Sequence, residues 1–321
     1  MVHPWLKFDP EKEIERICEL LRNTLIDFKR RGYVLGVSGG IDSSMTLGLC
    51  VKAIGPERVL VLQMPELHSA DETLRLSALI ADHFGVRKEL ENISGILEAE
   101  GFYKRYNAAV GSVVPGYSDG WKSKMVLHSG LQSGHLPVFH LVAQSPDGAI
   151  IDVRLPPTAY LEIVAATNFK QRTRKMLEYY YADKFNYAVA GTPNLLEYDQ
   201  GFFVKLGDGS ADVKPIAHLY KTQVYELAEY LGIPSEIRSR PPTTDTYSLP
   251  QGQDEFYFSL PYEKMDLCLF GKDHSLPPEQ VAEAVGLTKE QVEKVYKDID
   301  SKRRMAKYLH AAPILVPRNS L

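Results

Sequence analysis

The stretch of this sequence best suited to chemistry is Ser38-Gly-Gly-Ile-Asp-Ser43. It follows an apolar run, Tyr33–Val37, and opens a segment, Ser43–Ala53, whose apolar positions suit a buried helix. A strand, a glycine turn and a helix are therefore predicted. Glycines let backbone N–H groups approach a ligand closely, and the positive end of the helix dipole favours anions, so the turn is suited to holding phosphate.

Asp42 lies within this phosphate-binding turn and would repel a bare phosphate. A divalent cation removes the conflict, because Mg²⁺ is usually held by one or two carboxylates together with phosphate oxygens. The turn lacks the lysine of Gly-x-x-x-x-Gly-Lys-Ser/Thr and the spacing of Gly-x-Gly-x-x-Gly, so neither of those nucleotide motifs applies.

The same residues also match Gly-x-Ser-x-Gly, the turn that presents a nucleophilic serine, here Ser38, in α/β-hydrolases. That reading needs an acid and a histidine further along the chain. The candidate pairs are Asp212 with His218, and Asp266 with His274. No His-Gly-Gly-Gly-type motif precedes the serine, and the hydrolase leaves Asp42 unexplained. A serine hydrolase stays open as one alternative, and a non-catalytic nucleotide-binding module as another.

Strands and helices alternate around the glycine turn. Apolar residues three and four apart predict an amphipathic helix over 10–31, and Arg58–Pro65 and Val86–Ile93 are predicted strands on either side of a helix that begins at Ser69. This spacing predicts parallel βαβ units, and hence an α/β fold with a doubly wound sheet and helices on both faces. Ligands bind such sheets at the carboxyl ends of the strands, where the glycine turn must lie.

Two segments depart from the alternation within what we take as a single domain, residues 1–321. Residues 101–157 are predicted to be an insertion, in which Val138–Gln144 and Ala149–Leu155 flank a Pro-Asp-Gly turn and form a β-hairpin. Residues 237–256 are rich in Pro, Thr and Gln and lack periodicity, which predicts a mobile loop that serves as a lid.

The composition describes an ordinary soluble globular protein of 321 residues, 44% hydrophobic and with a net charge of −4. The acidic balance does not favour nucleic acid as a partner. There is no run of 18 apolar residues and no secretory leader over 1–13, so we expect a cytoplasmic protein that does not enter a membrane. Cys18, Cys50 and Cys268 lack the spacing of a metal site and are predicted to be core residues.

Between residues 10 and 310, outside the insertion, the chain resembles the NAD synthetase family of ATP pyrophosphatases. The resemblance rests on the Ser-Gly-Gly-x-Asp-Ser loop and on four further stretches in order, 168–174, 191–197, 201–215 and 219–228. It implies a flavodoxin-like parallel sheet, a homodimer, and a ligase that adenylates the nicotinate carboxylate of deamido-NAD with ATP before ammonia displaces AMP. With no glutaminase-type domain in this sequence, ammonia is expected from solution or from a separate protein.

The resemblance also implies roles for individual residues. Asp42, Glu197 and Lys221 are implied to be catalytic, with Mg²⁺ on the two carboxylates and the lysine on the phosphates. The implied ATP-binding positions are Gly36, Val37, Ser38, Gly39, Gly40, Ile41, Asp42, Ser43, Thr192, Lys221 and Thr243. The implied deamido-NAD positions are Arg172, Lys205, Asp212, Ser301 and Lys302.

Two departures from the family pattern concern the acceptor. From Asp42 to Arg172 is 172 − 42 = 130 positions, longer than expected, and Pro193 stands where a smaller or more polar residue is expected. A paralogue that amidates another carboxylate with the same adenylation chemistry is therefore an alternative. Since the insertion leads into the helix of Arg172, we hypothesise that it covers the acceptor site; a surface elaboration that enlarges the dimer contact is the other reading. The polar and aromatic residues that it offers are Trp121, His128, His135 and His140.

Overall fold

The computed structural model describes residues 3–128, 138–242, 246–252, 257–258 and 260–316. The strands are β1 (Tyr33–Gly36), β2 (Val59–Gln63), β3 (Arg87–Leu90), β4 (Lys122–His128), β5 (Val138–Gln144), β6 (Ile150–Arg154) and β7 (Ala188–Val189). The helices are α1 (Pro10–Asp27), α2 (Ile41–Ile54), α3 (Asp71–His83), α4 (Ser94–Ala99), α5 (Phe102–Gly111), α6 (Pro157–Phe185), α7 (Leu195–Gln200), α8 (Lys221–Tyr230), α9 (Ser235–Arg238), α10 (Tyr262–Asp273), α11 (Pro278–Val285) and α12 (Lys289–His310).

One parallel sheet organises the fold, with its strands in the order β3-β2-β1-β7. Leu35 and Val61 face a core built with α1, α2, α3 and α8, whereas Val34 and Leu60 face a second core built with α5 and α6. The predicted doubly wound α/β sheet with helices on both faces is confirmed. Because β2 and β7 lie on opposite sides of β1, the strand order changes direction at β1, which is where such sheets bind ligands.

Two predicted helix boundaries need correction. The helix expected over 10–31 ends at Asp27, since Lys29 has a φ of 53° and lies in the left-handed region. The helix expected to begin at Ser69 begins at Asp71, because the Ser69 hydroxyl accepts a hydrogen bond from the Glu66 N–H at 3.2 Å and does not cap the helix.

The predicted hairpin in the insertion is present as β5 and β6, joined at Pro146-Asp-Gly148. The structure adds β4, which pairs with β5 and completes a three-stranded antiparallel sheet that we call the insertion sheet. Its inner face contributes Met125, Leu141 and Ala143, all fully buried, to the core that contains α5 and α6. Burial of that face explains how a short hairpin is stable here, since a lone hairpin is marginal in water.

Residues 246–251, which we call the strap, run along β4 of the insertion sheet. The Leu249 N–H donates to the Ser123 carbonyl at 3.2 Å, the Ser123 N–H donates to the Ser248 hydroxyl at 2.9 Å, and the Gln251 amide donates to the Met125 carbonyl. Residues 248–251 of the expected lid are therefore bonded to the insertion sheet, while mobility over 237–256 stays a prediction.

The C-terminal helices α10, α11 and α12 pack with α7 around a third core. All three cysteines are buried and free, as expected for core residues. Among the described residues, no helix combines the length and the apolar character that crossing a membrane requires.

Candidate active site

A cavity of about 460 Å³ opens at the carboxyl ends of β1 and β2 and beside the loop that follows β7. Nearly all of the predicted ATP-loop positions line it, together with Thr192, Glu197 and Lys221; the loop positions are Gly36, Val37, Ser38, Gly40, Ile41, Asp42 and Ser43. The remaining loop residue, Gly39, does not line the cavity, and Thr243 lies outside the described residues.

Gly39 holds the turn against α3. It has a φ of +74°, and a Cβ at this position would lie 2.5 Å from the Leu76 Cβ and 2.7 Å from the Ser77 nitrogen. Among the described residues, no side chain caps the N-terminus of α2, which begins directly after Gly40. The first N–H groups of that helix are therefore available to an anion in the cavity.

Asp42, Lys221 and Glu197 meet at one wall of the cavity. The Lys221 ammonium, which is 2% exposed, donates to one oxygen of Asp42. The Asn194 amide donates to the other oxygen of Asp42 at 3.2 Å, and the Asn194 N–H donates to Glu197 Oε2 at 3.2 Å. Asn194 thus holds both predicted metal ligands, and its signal in the sequence is the Asn-x-x-Glu capping box that begins α7.

The two neighbouring carboxyl groups keep Lys221 protonated despite its burial. Burial opposes the charged form of Lys221, but Asp42 and Glu197 outweigh it and raise the pKa of the ammonium. Lys221 is therefore a cation beside two carboxylates. Behind it, burial raises the pKa of Asp266 to about 6, although Asp266 accepts hydrogen bonds from the Lys221 and Thr222 N–H groups at 3.2 and 2.8 Å.

Charged residues of α6 form a second part of the wall that the sequence did not reveal. Arg174, Lys175 and Glu178 line the cavity, with Lys175 Nζ 2.6 Å from Glu178 Oε2. Asp208 faces the same cavity, and burial raises the pKa of its carboxyl. Arg174 and Lys175 are four and three positions from Glu178, a spacing that places the three on one face of α6. The sequence does not indicate that this face meets the cavity.

A buried ion pair ties this region together. Lys170 is 1% exposed and donates to Glu66 at 2.7 Å and to the Thr246 carbonyl of the strap at 2.8 Å. The Tyr103 hydroxyl donates to the other oxygen of Glu66 at 3.0 Å. Burial and the neighbouring Lys170 lower the pKa of His68 to about 4. One lysine of α6 therefore fixes both the loop after β2 and the strap.

The predicted acceptor residues lie outside the cavity of this single chain. Arg172 is exposed, and its Nε donates to the Lys205 carbonyl at 3.3 Å. Lys205 Nζ donates to the Tyr308 carbonyl at 2.7 Å, at the end of α12. Asp212 is exposed at the sheet edge, where it accepts a hydrogen bond from the Val189 N–H at 2.7 Å. Contact of these residues with substrate stays a prediction.

The two α12 positions differ from each other. Lys302 is 4% exposed and donates to Asp298 and to the Tyr257 carbonyl, both at 2.6 Å; burial lowers the pKa of its ammonium. Ser301 precedes it and is partly exposed. Neither residue lines the cavity, although Lys302 contacts Tyr257, which does line it. Contact of Ser301 and Lys302 with substrate stays a prediction.

The hydrolase alternative finds no support in the geometry around Ser38. Its hydroxyl contacts the Ser43 hydroxyl at 3.4 Å and the Gly40 N–H at 3.3 Å. His218 pairs with Glu13 at 2.6 Å, and His274 contacts the carbonyl of its own helix neighbour Phe270 at 2.9 Å. Neither candidate histidine serves as a base for Ser38.

The insertion reaches the cavity through Phe139 of β5, which stacks on Tyr160 of α6 with ring centroids 4.6 Å apart. Tyr247 of the strap lines the cavity as well. Trp121, His128 and His140, which we expected to contact a ligand, do not line it, and His135 lies outside the described residues.

Comparison with known proteins identifies relatives over almost the whole chain. The family model described as NAD synthase matches residues 13–114 and 149–306, and the residues between contain β4 and β5. The NH(3)-dependent NAD(+) synthetase of Mesorhizobium japonicum is 56% identical over 311 residues, 97% of this chain and 98% of that protein. Since that alignment spans almost the entire chain, the relative also has residues aligned with the insertion.

Two solved structures share the fold. The NH3-dependent NAD synthetase of Campylobacter jejuni has a TM-score of 0.64 at 21% identity, over 97% of this chain and 100% of that one. The NMN synthetase of Francisella tularensis has a TM-score of 0.62 at 21% identity, over 98% of this chain and 100% of that one. At these identities the likeness shows the fold alone, and one fold accommodates two differently named enzymes.

Proposed function

The chain belongs to the NAD synthase family, and we propose that it is an ammonia-dependent amide ligase that converts deamido-NAD, ATP and ammonia into NAD, AMP and pyrophosphate. The observation that carries the proposal is the meeting of Asp42, Glu197 and Lys221 beside the uncapped N-terminus of α2, in one cavity at the strand ends. Carboxylates and a cation around a phosphate-binding turn suit nucleotidyl transfer, and they supply no nucleophile–base pair for hydrolysis.

The carboxylates fit Mg²⁺ as the cofactor. Asp42 and Glu197 both face the cavity, Asn194 holds both, and both offer the oxygen ligands that this hard cation prefers. When bound, Mg²⁺ supplies positive charge against the phosphate oxygens of ATP. Lys221 balances the charge of Asp42 in the absence of nucleotide and is positioned to contact the phosphates in its presence.

Two steps make the amide. A carboxylate oxygen of the acceptor attacks the α-phosphorus of ATP, an O–P bond forms, and pyrophosphate leaves. Ammonia then attacks the acyl carbon, a C–N bond forms, AMP leaves with the bridging oxygen, and a proton passes to solvent. In the first step the N–H groups at the start of α2 hold the phosphates and Lys221 stabilises the charge that develops on pyrophosphate.

We propose further that the acceptor site is shared between two subunits of a homodimer. Arg172, Lys205 and Asp212 are at the surface and not in the cavity of their own chain, as expected if they contact a substrate that crosses an interface. Ammonia would come from solution or from a separate protein.

The acceptor assay tests the proposal. Purified enzyme with ATP, Mg²⁺ and ammonium is given deamido-NAD or, in parallel, the corresponding mononucleotide, and pyrophosphate release is measured. Deamido-NAD should be the preferred acceptor by kcat/KM. Preference for the mononucleotide would favour the paralogue reading, and an ATP-independent esterase activity lost in Ser38→Ala and kept in Asp42→Ala would refute the ligase.

A further inference from the structure

Three side chains able to bind a metal come together on the outer face of the insertion sheet. His128 ends β4, His140 lies in β5 and Asp152 lies in β6, and their ligand atoms are all within 4.8 Å of one another. His140 Nδ1 is 2.7 Å from Asp152 Oδ1, and His128 Nε2 is 3.7 Å from Asp152 Oδ2. The two imidazoles are stacked, with centroids 4.1 Å apart and planes within 8°.

The strand register explains why these residues share a face. In β4, Val126 is opposite His140 and lies two positions from His128. In β5, Val142 is opposite Asp152 and lies two positions from His140. Side chains two apart point to the same side of a sheet. The intervening positions, such as Met125 and Leu141, are buried in the core, so register slippage is prevented and the three ligands are held together.

We propose that His128, His140 and Asp152 bind one divalent transition-metal ion of the zinc type. Two imidazole nitrogens and a carboxylate suit Zn²⁺, whose ligand atoms lie about 2.0–2.2 Å from the ion and therefore about 3.3 Å from one another in a tetrahedron. The 2.7 and 3.7 Å separations join the two imidazoles to different oxygens of Asp152 and bracket that spacing. All the ligand atoms lie within 4.8 Å of one another, so side-chain rotations must draw them together around the ion. The fourth position is open to water.

The ligand types at this site differ from those in the cavity: two imidazole nitrogens and one carboxylate here, but only carboxylate oxygens at Asp42 and Glu197. Imidazole nitrogen favours Zn²⁺, Cu²⁺ or Ni²⁺ over Mg²⁺ and Ca²⁺, which require oxygen ligands in larger number. The side chains of His128 and Asp152 are 52% and 45% exposed, so an ion can enter from solvent.

Metal binding would join the three strands of the insertion sheet at one point. The strap is hydrogen-bonded to β4 at Ser123 and Met125, and Tyr247 of the strap lines the cavity. By stabilising β4, the ion would therefore stabilise this part of the cavity wall without reaching the cavity itself. The site thus acts as a clamp on the insertion and is independent of the amidation chemistry.

Metal titration of the untagged full-length protein, stripped with a chelator and kept in excess Mg²⁺, tests the proposal. Zn²⁺ is titrated calorimetrically, and Co²⁺ is used as a spectroscopic probe whose visible bands report tetrahedral nitrogen ligation. One equivalent should bind, and His140→Ala and Asp152→Asn should each weaken binding at least about tenfold. His83→Ala, which removes a histidine outside the cluster, should leave affinity unchanged.

Thermal unfolding separates loss of the site from loss of the fold. Zn²⁺ should raise the Tm of the wild type and of His83→Ala, but not that of His140→Ala or Asp152→Asn, while the metal-free Tm values stay alike. His140→Gln serves as a second variant if the alanine form fails to fold. Absence of a stoichiometric site, or binding that changes less than about twofold in both variants, overturns the proposal.

Discussion

Replacing Lys221 by methionine should damage both stability and catalysis, and for separable reasons. The lysine is 2% exposed and donates to Asp42, whose side chain is 16% exposed. Methionine fills similar space without the charge. It therefore removes the positive charge of Lys221 that interacts with Asp42 and Glu197.

The magnitude follows from the burial of the pair. Breaking a buried ion pair by removing one partner costs about 3–5 kcal/mol. Asp42 keeps some solvent contact and the 3.2 Å hydrogen bond from Asn194, so we expect the lower end, about 3 kcal/mol. The double variant Asp42→Asn/Lys221→Met removes both charges and should regain most of that loss, so we expect it to be about 2 kcal/mol more stable than Lys221→Met alone.

Urea unfolding, followed by circular dichroism without Mg²⁺ or nucleotide and at one protein concentration, measures these free energies. Pyrophosphate release measures catalysis, and kcat should fall about a hundredfold or more in both the single and the double variant, since neither supplies the cation for the phosphates. The matched control is Lys272→Met, which breaks the partly exposed Lys272–Asp300 pair, neither residue of which lines the cavity, and should change stability by less than about 1 kcal/mol.

Two results would refute this reasoning. A single variant within about 0.5 kcal/mol of wild type would mean that Lys221 does not compensate the carboxylates. A double variant that regains catalysis would mean that the lysine serves only to hold Asp42.

Three further predictions concern the turn, the helix behind it and the insertion. Gly39→Ala should abolish measurable ATP binding, because its φ of +74° and the 2.5 Å approach to the Leu76 Cβ force the turn to move; nucleotide affinity by calorimetry close to wild type would contradict this. Burial raises the pKa of Asp266 from 3.8 to about 6, so the folded state binds a proton at this carboxyl more tightly than the unfolded state does. The protonated carboxyl therefore stabilises the fold below pH 3.8, and this stabilisation is lost as the pH rises through 6. The stability of wild type relative to Asp266→Asn should therefore fall by up to about 3 kcal/mol between pH 4 and 7 in urea unfolding, and a flat difference would contradict the shift. Phe139 of the insertion lines the cavity, so Phe139→Ala should raise KM for the acceptor about tenfold and leave ATP affinity unchanged. Ile150→Ala is the control, because Ile150 is 68% exposed on the insertion sheet and its loss should change neither quantity. An acceptor KM of Phe139→Ala equal to that of wild type would leave the insertion without a role at the acceptor site.

The local parts of the site were predictable from sequence because their determinants are close in the chain. The strand, glycine turn and helix around Asp42 lie within about twenty residues, and their patterning is consistent. The Asn-x-x-Glu start of α7 was equally local, and it holds Glu197. What could not be predicted depends on long-range pairing.

The strap shows this limit most clearly. Ser123 and Ser248 are 125 positions apart, and nothing in either segment indicates that they pair. β4 was missed for a local reason: the sequence of Lys122–His128 does not alternate between polar and apolar residues as a half-buried strand usually does. Similarly, a sequence shows that Arg172 and Arg174 lie on different faces of α6, but the tertiary packing decides that Arg174 lines the cavity.

An isotope experiment tests most directly whether the acceptor carboxylate becomes an acyl-adenylate in this cavity. Deamido-NAD labelled with ¹⁸O in its nicotinate carboxylate is converted with ATP, Mg²⁺ and ammonium, and the products are analysed by mass spectrometry. Attack of the carboxylate on the α-phosphorus predicts one ¹⁸O in each AMP and none in pyrophosphate. AMP without label, or label in pyrophosphate, would contradict the account.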